Sequence, residues 1–453
     1  MQAYTKDKHN RLIGKIFNIR SLICFSISLG LVFNYFFSTD IIALICTVAT
    51  ILYIVFSKEE DALVAMIYMS FFSYLFRYGG YEIYVFVCVV FLCKILISRN
   101  KNLILASVVI MIYLVSRFIS FNFEGIHLGD AISFVVLPVL IVACTIYKPS
   151  MRSRCISAFL GGFFVSAALG TVVSGSRITE YLSTNYVYSD GDQISRFSGL
   201  TYDPNFFAFF VVIVSCILLL DYKYRFSTNL LEVLAFVFVA WWGILTVSKS
   251  CLVCMAAIIL FSMVRATVNK NAGIKILILG VALFAVYLFF FETVNNAMEV
   301  LLERIFGATD ISKLTTGRVE LWGTYLKDIT ESPIRLLLGH GFARTDETAA
   351  HNTLLEIIYK FGVVGIFFDF IYVFMSYRLL AGKMGKMTGS KMLIVGLFCA
   401  QMFFLSAYTF YSLWVCIFMI MILIKDKEEN DELSLGEHYN SGVQCPSVSK
   451  SVY

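Results

Sequence analysis

The chain has 453 residues, 59% of them hydrophobic and 15% charged, with a net charge of +5 and a mean hydropathy of +0.80. Soluble globular chains carry about 25% charged residues, and the apolar excess here falls in blocks of roughly 15–20, the length a helix needs to cross a hydrocarbon core. Composition thus excludes an ordinary soluble domain, and continuous rather than alternating apolar runs exclude a β-barrel.

The first twenty residues are polar and basic, with Lys6, Lys8, Arg11, Lys15 and Arg20, and no alanine-rich cleavage site follows. No cleavable signal peptide is expected ahead of the first span. Apolar blocks then predict an all-α polytopic bundle of about fourteen transmembrane helices: 21–37, 41–57, 62–76, 83–97, 103–121, 131–147, 155–174, 204–221, 229–246, 251–264, 273–291, 352–377, 391–405 and 409–424. With the N-terminus inside, about 24 of the 36 basic residues fall on the cytoplasmic side, including the clusters Lys148/Arg152/Arg154, Arg265/Lys270/Lys275 and Arg378/Lys383/Lys386/Lys391. That bias puts both termini in the cytoplasm. Because the basic residues sit in short connections between apolar blocks, the net positive charge sets topology and does not imply a nucleic-acid partner.

Of the twelve cysteines, eleven lie in or at the ends of apolar blocks and Cys445 lies in the polar tail. Without a paired Cys motif in a loop or a Cys/His cluster, neither disulfides nor a metal site is expected. Two acids fall within spans, Glu232 near an inner end and Asp369 deeper, the latter without an obvious partner.

Two outward connections are long, 175–203 and 292–351, and the others are short. A channel has no need of that asymmetry, whereas an enzyme acting on a substrate presented from the membrane does. Both loops are expected to contain short amphipathic helices. In the second, "GRVELWGTYLKDITESP" sets Val319, Trp322, Leu326 and Ile329 on one helical face, ending near Pro333.

The first loop ends in "SRFSGLTYDPNFFAFF". Arg196 offers an always-charged fork suited to phosphate oxygens, or a snorkelling interfacial side chain. Asp203-Pro204-Asn205 is a helix-start signal in which Asp203 and Asn205 serve as caps or as supporting polar groups of a site. The second loop carries six cations between Arg304 and Arg344, among them Arg318 and Arg335. Facing outward, these need anionic partners, either carboxylates of the same loop or phosphates. Gly339-His340-Gly341 implies a tight turn. The loop closes on "HNTLLE", where His351 is a helix-start polar residue or a proton acceptor for a hydroxyl, with Asn352 and Glu356 in support.

Three patches, "RFSGLTYDPNFFA", "GRVELW…SPIRLLLGHGF" and "HNTLLEIIYKFGVVG", resemble in order and spacing the bacterial O-antigen polymerase/O-antigen ligase superfamily, membrane glycosyltransferases of the GT-C type. The likeness extends over roughly 150–410. It divides the chain into N-terminal transmembrane helices (1–150), a catalytic membrane region (151–424) and a polar cytoplasmic tail (425–453). The resemblance implies that Arg196, Arg318 and Arg335 grip a lipid diphosphate and that His351 activates or orients the acceptor hydroxyl. Where many members have Ser-Arg, this chain has Ser248-Lys249, which keeps the charge but not the fork.

The implied activity is an inverting transfer, without metal or cofactor, at the outer face of the bacterial inner membrane. A polyprenyl-diphosphate-linked oligosaccharide is passed to an acceptor sugar on another lipid-linked repeat unit. Membrane lipids, a chain-length regulator and a flippase are the implied partners. An O-antigen ligase handing the glycan to lipid A-core is the alternative; about fourteen spans favour the polymerase. A flippase is a third reading, but it predicts cations inside a central cavity and no long one-sided loops.

Overall fold

The computed structural model describes residues 19–37, 40–79, 81–97, 101–119, 136–173, 186–189, 192–201, 203–221, 230–267, 280, 284, 287–288, 291–306, 317–341, 350–382, 387–405, 407 and 410–425. The expected span 273–291, residues 426–453 of the tail, and Arg344 lie wholly or mostly outside them, as do the side chains of Glu232 and Arg304. The described chain is predominantly helical.

Helices occupy the apolar blocks: α1 (Ile19–Phe37), α2 (Asp40–Phe56), α3 (Glu59–Met69), α4 (Tyr84–Ile97), α5 (Lys101–Ile119), α6 (Val139–Ile146), α7 (Arg152–Val173), α8 (Pro204–Leu220), α9 (Leu230–Leu245) and α10 (Lys249–Thr267). After them come α11 (Phe291–Phe306), α12 (Arg318–Thr330), α13 (Pro333–Leu338), α14 (Thr353–Ala381), α15 (Gly389–Phe403) and α16 (Leu413–Ile424). Two helical stretches, Pro149–Val173 and Thr353–Ala381, are long and apolar enough to cross a membrane; eight further helices carry apolar stretches of 10–17 residues. At 1.5 Å per residue these eight stretches reach about 26 Å at most, short of a hydrocarbon core of about 30 Å.

The core is aromatic. Phe71 packs against Phe159, Phe163 and Phe210 at ring separations of 5.0, 6.3 and 4.3 Å, and Phe206 stacks on Phe410 at 4.3 Å. This joins the 3-10 turn after α3 (Ser70–Leu75), α7, α8 and the approach to α16 in one apolar cluster. The eleven described cysteines are free, and most are buried in this packing.

Polar contacts between elements gather at the two ends of the helices. At one end Arg20 reaches Asp61 (2.5 Å), Arg154 pairs with Asp61 and Glu60, Lys148 with Glu60 (2.7 Å) and Arg152 with Asp221 (2.8 Å). At the other, the Gly79 N–H donates to Asp40 (2.8 Å) and the Ser412 hydroxyl to the Ser70 carbonyl (2.6 Å). Each contact joins segment ends that strict up-and-down alternation would put on one side.

Three expectations change. The described part of the first long loop includes a β-hairpin, β1 (Tyr186–Ser189) with β2 (Asp192–Ser195), rather than an amphipathic helix. The buried face of α12 is Trp322, Tyr325 and Ile329, while Val319 and Leu326 are exposed, because the helix packs on Ala350 and Leu355. Asp369, expected to stand alone, is ion-paired with Arg117.

Helix α14 is broken inside. Gly362 has φ +65° and ψ −169°, a conformation essentially reserved for glycine, so residues 353–361 form a short helix leading into the longer 363–381. In an unbroken helix the carbonyls of Tyr359 and Lys360 would accept from the amides four residues on. Here they accept from the His340 N–H (2.8 Å) and the Gly341 N–H (2.7 Å). The Gly339-His340-Gly341 turn therefore satisfies the carbonyls exposed by the break.

Candidate active site

Arg196 follows directly from β2 and is buried. The Phe197 N–H donates to the Leu245 carbonyl (2.9 Å), which lays this strand end on the end of α9. The Arg196 Nε then donates to the Thr246 carbonyl (2.8 Å), and Nη2 to the Asn205 side-chain oxygen (3.0 Å). Asn205 is aimed by its neighbour: the Asp203 carboxylate accepts from the Asn205 N–H (2.7 Å) as N-cap of α8, with Pro204 at the first helical position. Asp203 is a cap, and Asn205 orients the guanidinium. This engagement of one arginine by two separate segments is more than a snorkelling interfacial side chain requires.

The α9–α10 turn holds Val247 at φ +49°. For a β-branched residue this is strained backbone, of the sort that persists where surrounding contacts over-determine it. Here the Arg196 bond to Thr246 fixes one side of it. Two residues on, Lys249 opens α10, and its charge stands at the positive end of the helix dipole, where an anion is favoured over a cation.

Arg318 repeats that arrangement. It opens α12, and its Nη1 donates to the Phe404 carbonyl (3.0 Å) in the α15–α16 link. One turn on, the Trp322 Nε1 donates to the Ala350 carbonyl (2.8 Å), and its ring packs edge-on against Phe403 (5.2 Å).

His351 is the meeting point. It has φ +49°, between Ala350, tied to Trp322, and Asn352, whose side-chain oxygen caps α14 by accepting from the Leu355 N–H (3.1 Å). Burial holds the His351 pKa below the ordinary imidazole value; the positive charges of Arg318 and Arg196 push in the same direction, and Asp203 opposes them. Charges from the first two sequence patches thus act on the imidazole that opens the third. The start of α14 is fastened further by Thr353, whose hydroxyl donates to the Leu405 carbonyl and accepts from the Ala407 N–H (2.9 Å).

The other expected residues lie differently. Arg335 is engaged by Asp328 (2.9 Å) and Glu331 (3.2 Å), and it is not among the charges acting on His351. Glu356 is buried beside Lys360, 3.4 Å away. His340 stacks on the Tyr359 ring (4.3 Å, 10°), with Nε2 3.3 Å from Asp328.

Sequence reading missed the Thr246 carbonyl, the Trp322–Ala350 tie, Thr353 and the 403–407 link. Main-chain acceptors leave no mark in residue identity. "FFLSAYTFYS" between two apolar blocks did offer a polar signal at the correct end. Among the described residues no three His, Cys, Asp or Glu side chains are grouped to hold a metal ion. No protein-family model, curated protein or solved structure matches the chain.

Proposed function

We propose that this chain is a multi-pass glycosyltransferase of the bacterial inner membrane with about fourteen spans, both termini cytoplasmic and the His351 site facing outward. It polymerises O-antigen or a related surface glycan from polyprenyl-diphosphate-linked repeat units. The observation that carries the reading is that Arg196, held by Thr246 and Asn205, and Arg318, held by Phe404, are the cations that together with burial lower the pKa of a half-buried His351.

A neutral imidazole beside two permanent cations is suited to group transfer from an anionic leaving group. Arg196, Arg318 and Lys249 bind the donor diphosphate. The acceptor hydroxyl oxygen attacks the anomeric carbon, the bond from that carbon to the phosphate oxygen breaks, and the configuration inverts. Polyprenyl diphosphate leaves with the bonding pair, stabilised by the cations as its charge grows. His351 takes the hydroxyl proton, or holds the hydroxyl in line for attack; general-base help of this kind contributes about 10²–10⁴-fold. Asp203, Asn205 and Asn352 keep the charged groups in register. Arg335, already held by two carboxylates, shapes the loop.

The test is the surface-glycan gel profile of a deletion strain complemented with the parent, Arg318→Ala or His351→Gln, with its lipid-linked intermediates. Core capped by one repeat unit, without a ladder, is the expected result. Bare core with long glycan retained on the carrier would identify a ligase acting on lipid A-core. A normal ladder from both variants would refute the site.

A further inference from the structure

The N-terminal third resembles nothing beyond a set of spans, yet it sends one cation to the base of the site. Arg117, near the end of α5, is 3% exposed and ion-paired with Asp369, which is 16% exposed. Its guanidinium carbon also lies 4.3 Å from the centre of the Phe361 ring and 4.7 Å from that of Tyr113. Phe361 is the last residue before the break at Gly362. Gly365 leaves room for the approach, since a Cβ there would stand 3.0 Å from a guanidinium nitrogen.

We infer that Arg117 and Asp369 are positioning residues for the transfer proposed above, fixing the short helix 353–361 that presents His351. The inference rests on that reading. The short helix is a lever of about 13 Å. His351 sits just ahead of one end, and Phe361, under the guanidinium, forms the other. From above, the His340 and Gly341 amides hold the carbonyls next to the break. From below, Arg117 grips Phe361 and ties it to the first turns of the longer helix through Asp369. A flat guanidinium can stack on a ring and pair with a carboxylate at once, which an ammonium does less well. In a chain read as spanning a membrane, a buried cation and anion persist when each has the other and serve a purpose there. Here that purpose is the angle of the short helix, and through it the distance from His351 to a hydroxyl bound beside the arginines.

The experiment uses membranes containing the full chain and the lipid-linked repeat unit extracted from the deletion strain. It compares Arg117→Ala, Arg117→Lys, Asp369→Asn and the exchange Arg117→Asp/Asp369→Arg. Undecaprenyl diphosphate binding to the purified variants is measured alongside. Misplacement on the ångström scale costs about 10²-fold, so Arg117→Ala and Asp369→Asn are expected to lower turnover about 10- to 100-fold. Donor KM and undecaprenyl diphosphate affinity should stay within about twofold. Arg117→Lys keeps the pair but not the stacking and should fall in between, and the exchange should recover part of the loss.

If Arg117→Ala does not accumulate in the membrane, Arg117→Lys carries the test: reduced turnover with unchanged donor KM supports the inference, and parental turnover overturns it. Equal losses of turnover and undecaprenyl diphosphate affinity would also overturn it, because that pattern marks a general loss of structure. Full turnover of the Arg117 variants, while His351→Gln and Arg196→Ala are inactive, removes this inference alone. Activity retained by His351→Gln and Arg196→Ala removes the glycosyl-transfer reading and this inference with it.

Discussion

Replacing Gly362 with alanine tests whether the break in α14 is forced. An added Cβ there would lie 2.2 Å from the Leu337 carbonyl oxygen and 2.3 Å from its carbon. These are backbone atoms of α13 and cannot swing aside as a side-chain tip would. The φ of +65° with ψ −169° costs a side-chain-bearing residue about 1–3 kcal/mol. Relief by straightening the helix or lifting α13 gives up the bonds from His340 and Gly341 to the carbonyls of Tyr359 and Lys360, at about 1 kcal/mol each. Those bonds are lost on opening in parent and variant alike, so the strain alone shifts the local opening equilibrium, by about 1–3 kcal/mol or about 5- to 150-fold. Hydrogen exchange of the His340 and Gly341 amides in the detergent-solubilised protein reads that opening directly. Gly396→Ala in α15 is the control, because an added Cβ there meets nothing within 4 Å; alanine in a helix interior is favoured over glycine by about 1 kcal/mol. Unchanged exchange at His340 and Gly341 in Gly362→Ala would refute the account of the break.

Three further outcomes are expected. Arg196→Lys keeps the charge but cannot serve the Thr246 carbonyl and the Asn205 side chain together. Undecaprenyl diphosphate affinity should fall about tenfold or more, as for loss of a charge-assisted hydrogen bond, and parental affinity would contradict the clamp. Because burial, Arg318 and Arg196 all lower the His351 pKa, the acid limb of the turnover–pH profile should lie below the ordinary imidazole value of about 6.5; Arg318→Gln removes a positive neighbour and should move the limb upward. The same depression makes folding stability fall as pH drops below about 6.5, where the unfolded chain binds the proton more readily, and His351→Gln should flatten that fall in a thermal-melt series. Arg335→Ala breaks exposed pairs with Asp328 and Glu331, worth about 0–1 kcal/mol, so melting temperature and turnover should both stay near parental.

Much of the helical frame was legible because apolar length and turn chemistry are local. Pro333 ends α12 and starts α13, and Asp203-Pro204 and Asn352 sit at the helix starts their types favour. The break at Gly362 was not legible. "KFGVVG" reads as continuous helix, and the two features that make a glycine obligatory there, the φ of +65° and the close approach of Leu337, leave no mark in it. The face of α12 was misjudged for a similar reason: Leu326 fits an amphipathic spacing, yet the surface facing the helix is Ala350 and Leu355, and it selects Tyr325 instead. At the site, Arg196 and His351 stood out as charged or titratable groups at segment ends. The Arg117–Asp369 pair spans 252 positions, and no periodicity in the chain could announce it.

The fastening of Thr353 to Leu405 and Ala407, and of Arg318 to Phe404, has a consequence for biogenesis. The 403–407 link follows α14 and α15 in the chain, so it leaves the ribosome after both of them. Until then the start of α14 lacks its anchor and Arg318 its carbonyl. A nascent or truncated chain ending before residue 403 would hold the arginines and the histidine without the frame that brings them together. The frame around His351 therefore closes in one step, once the 403–407 link is present.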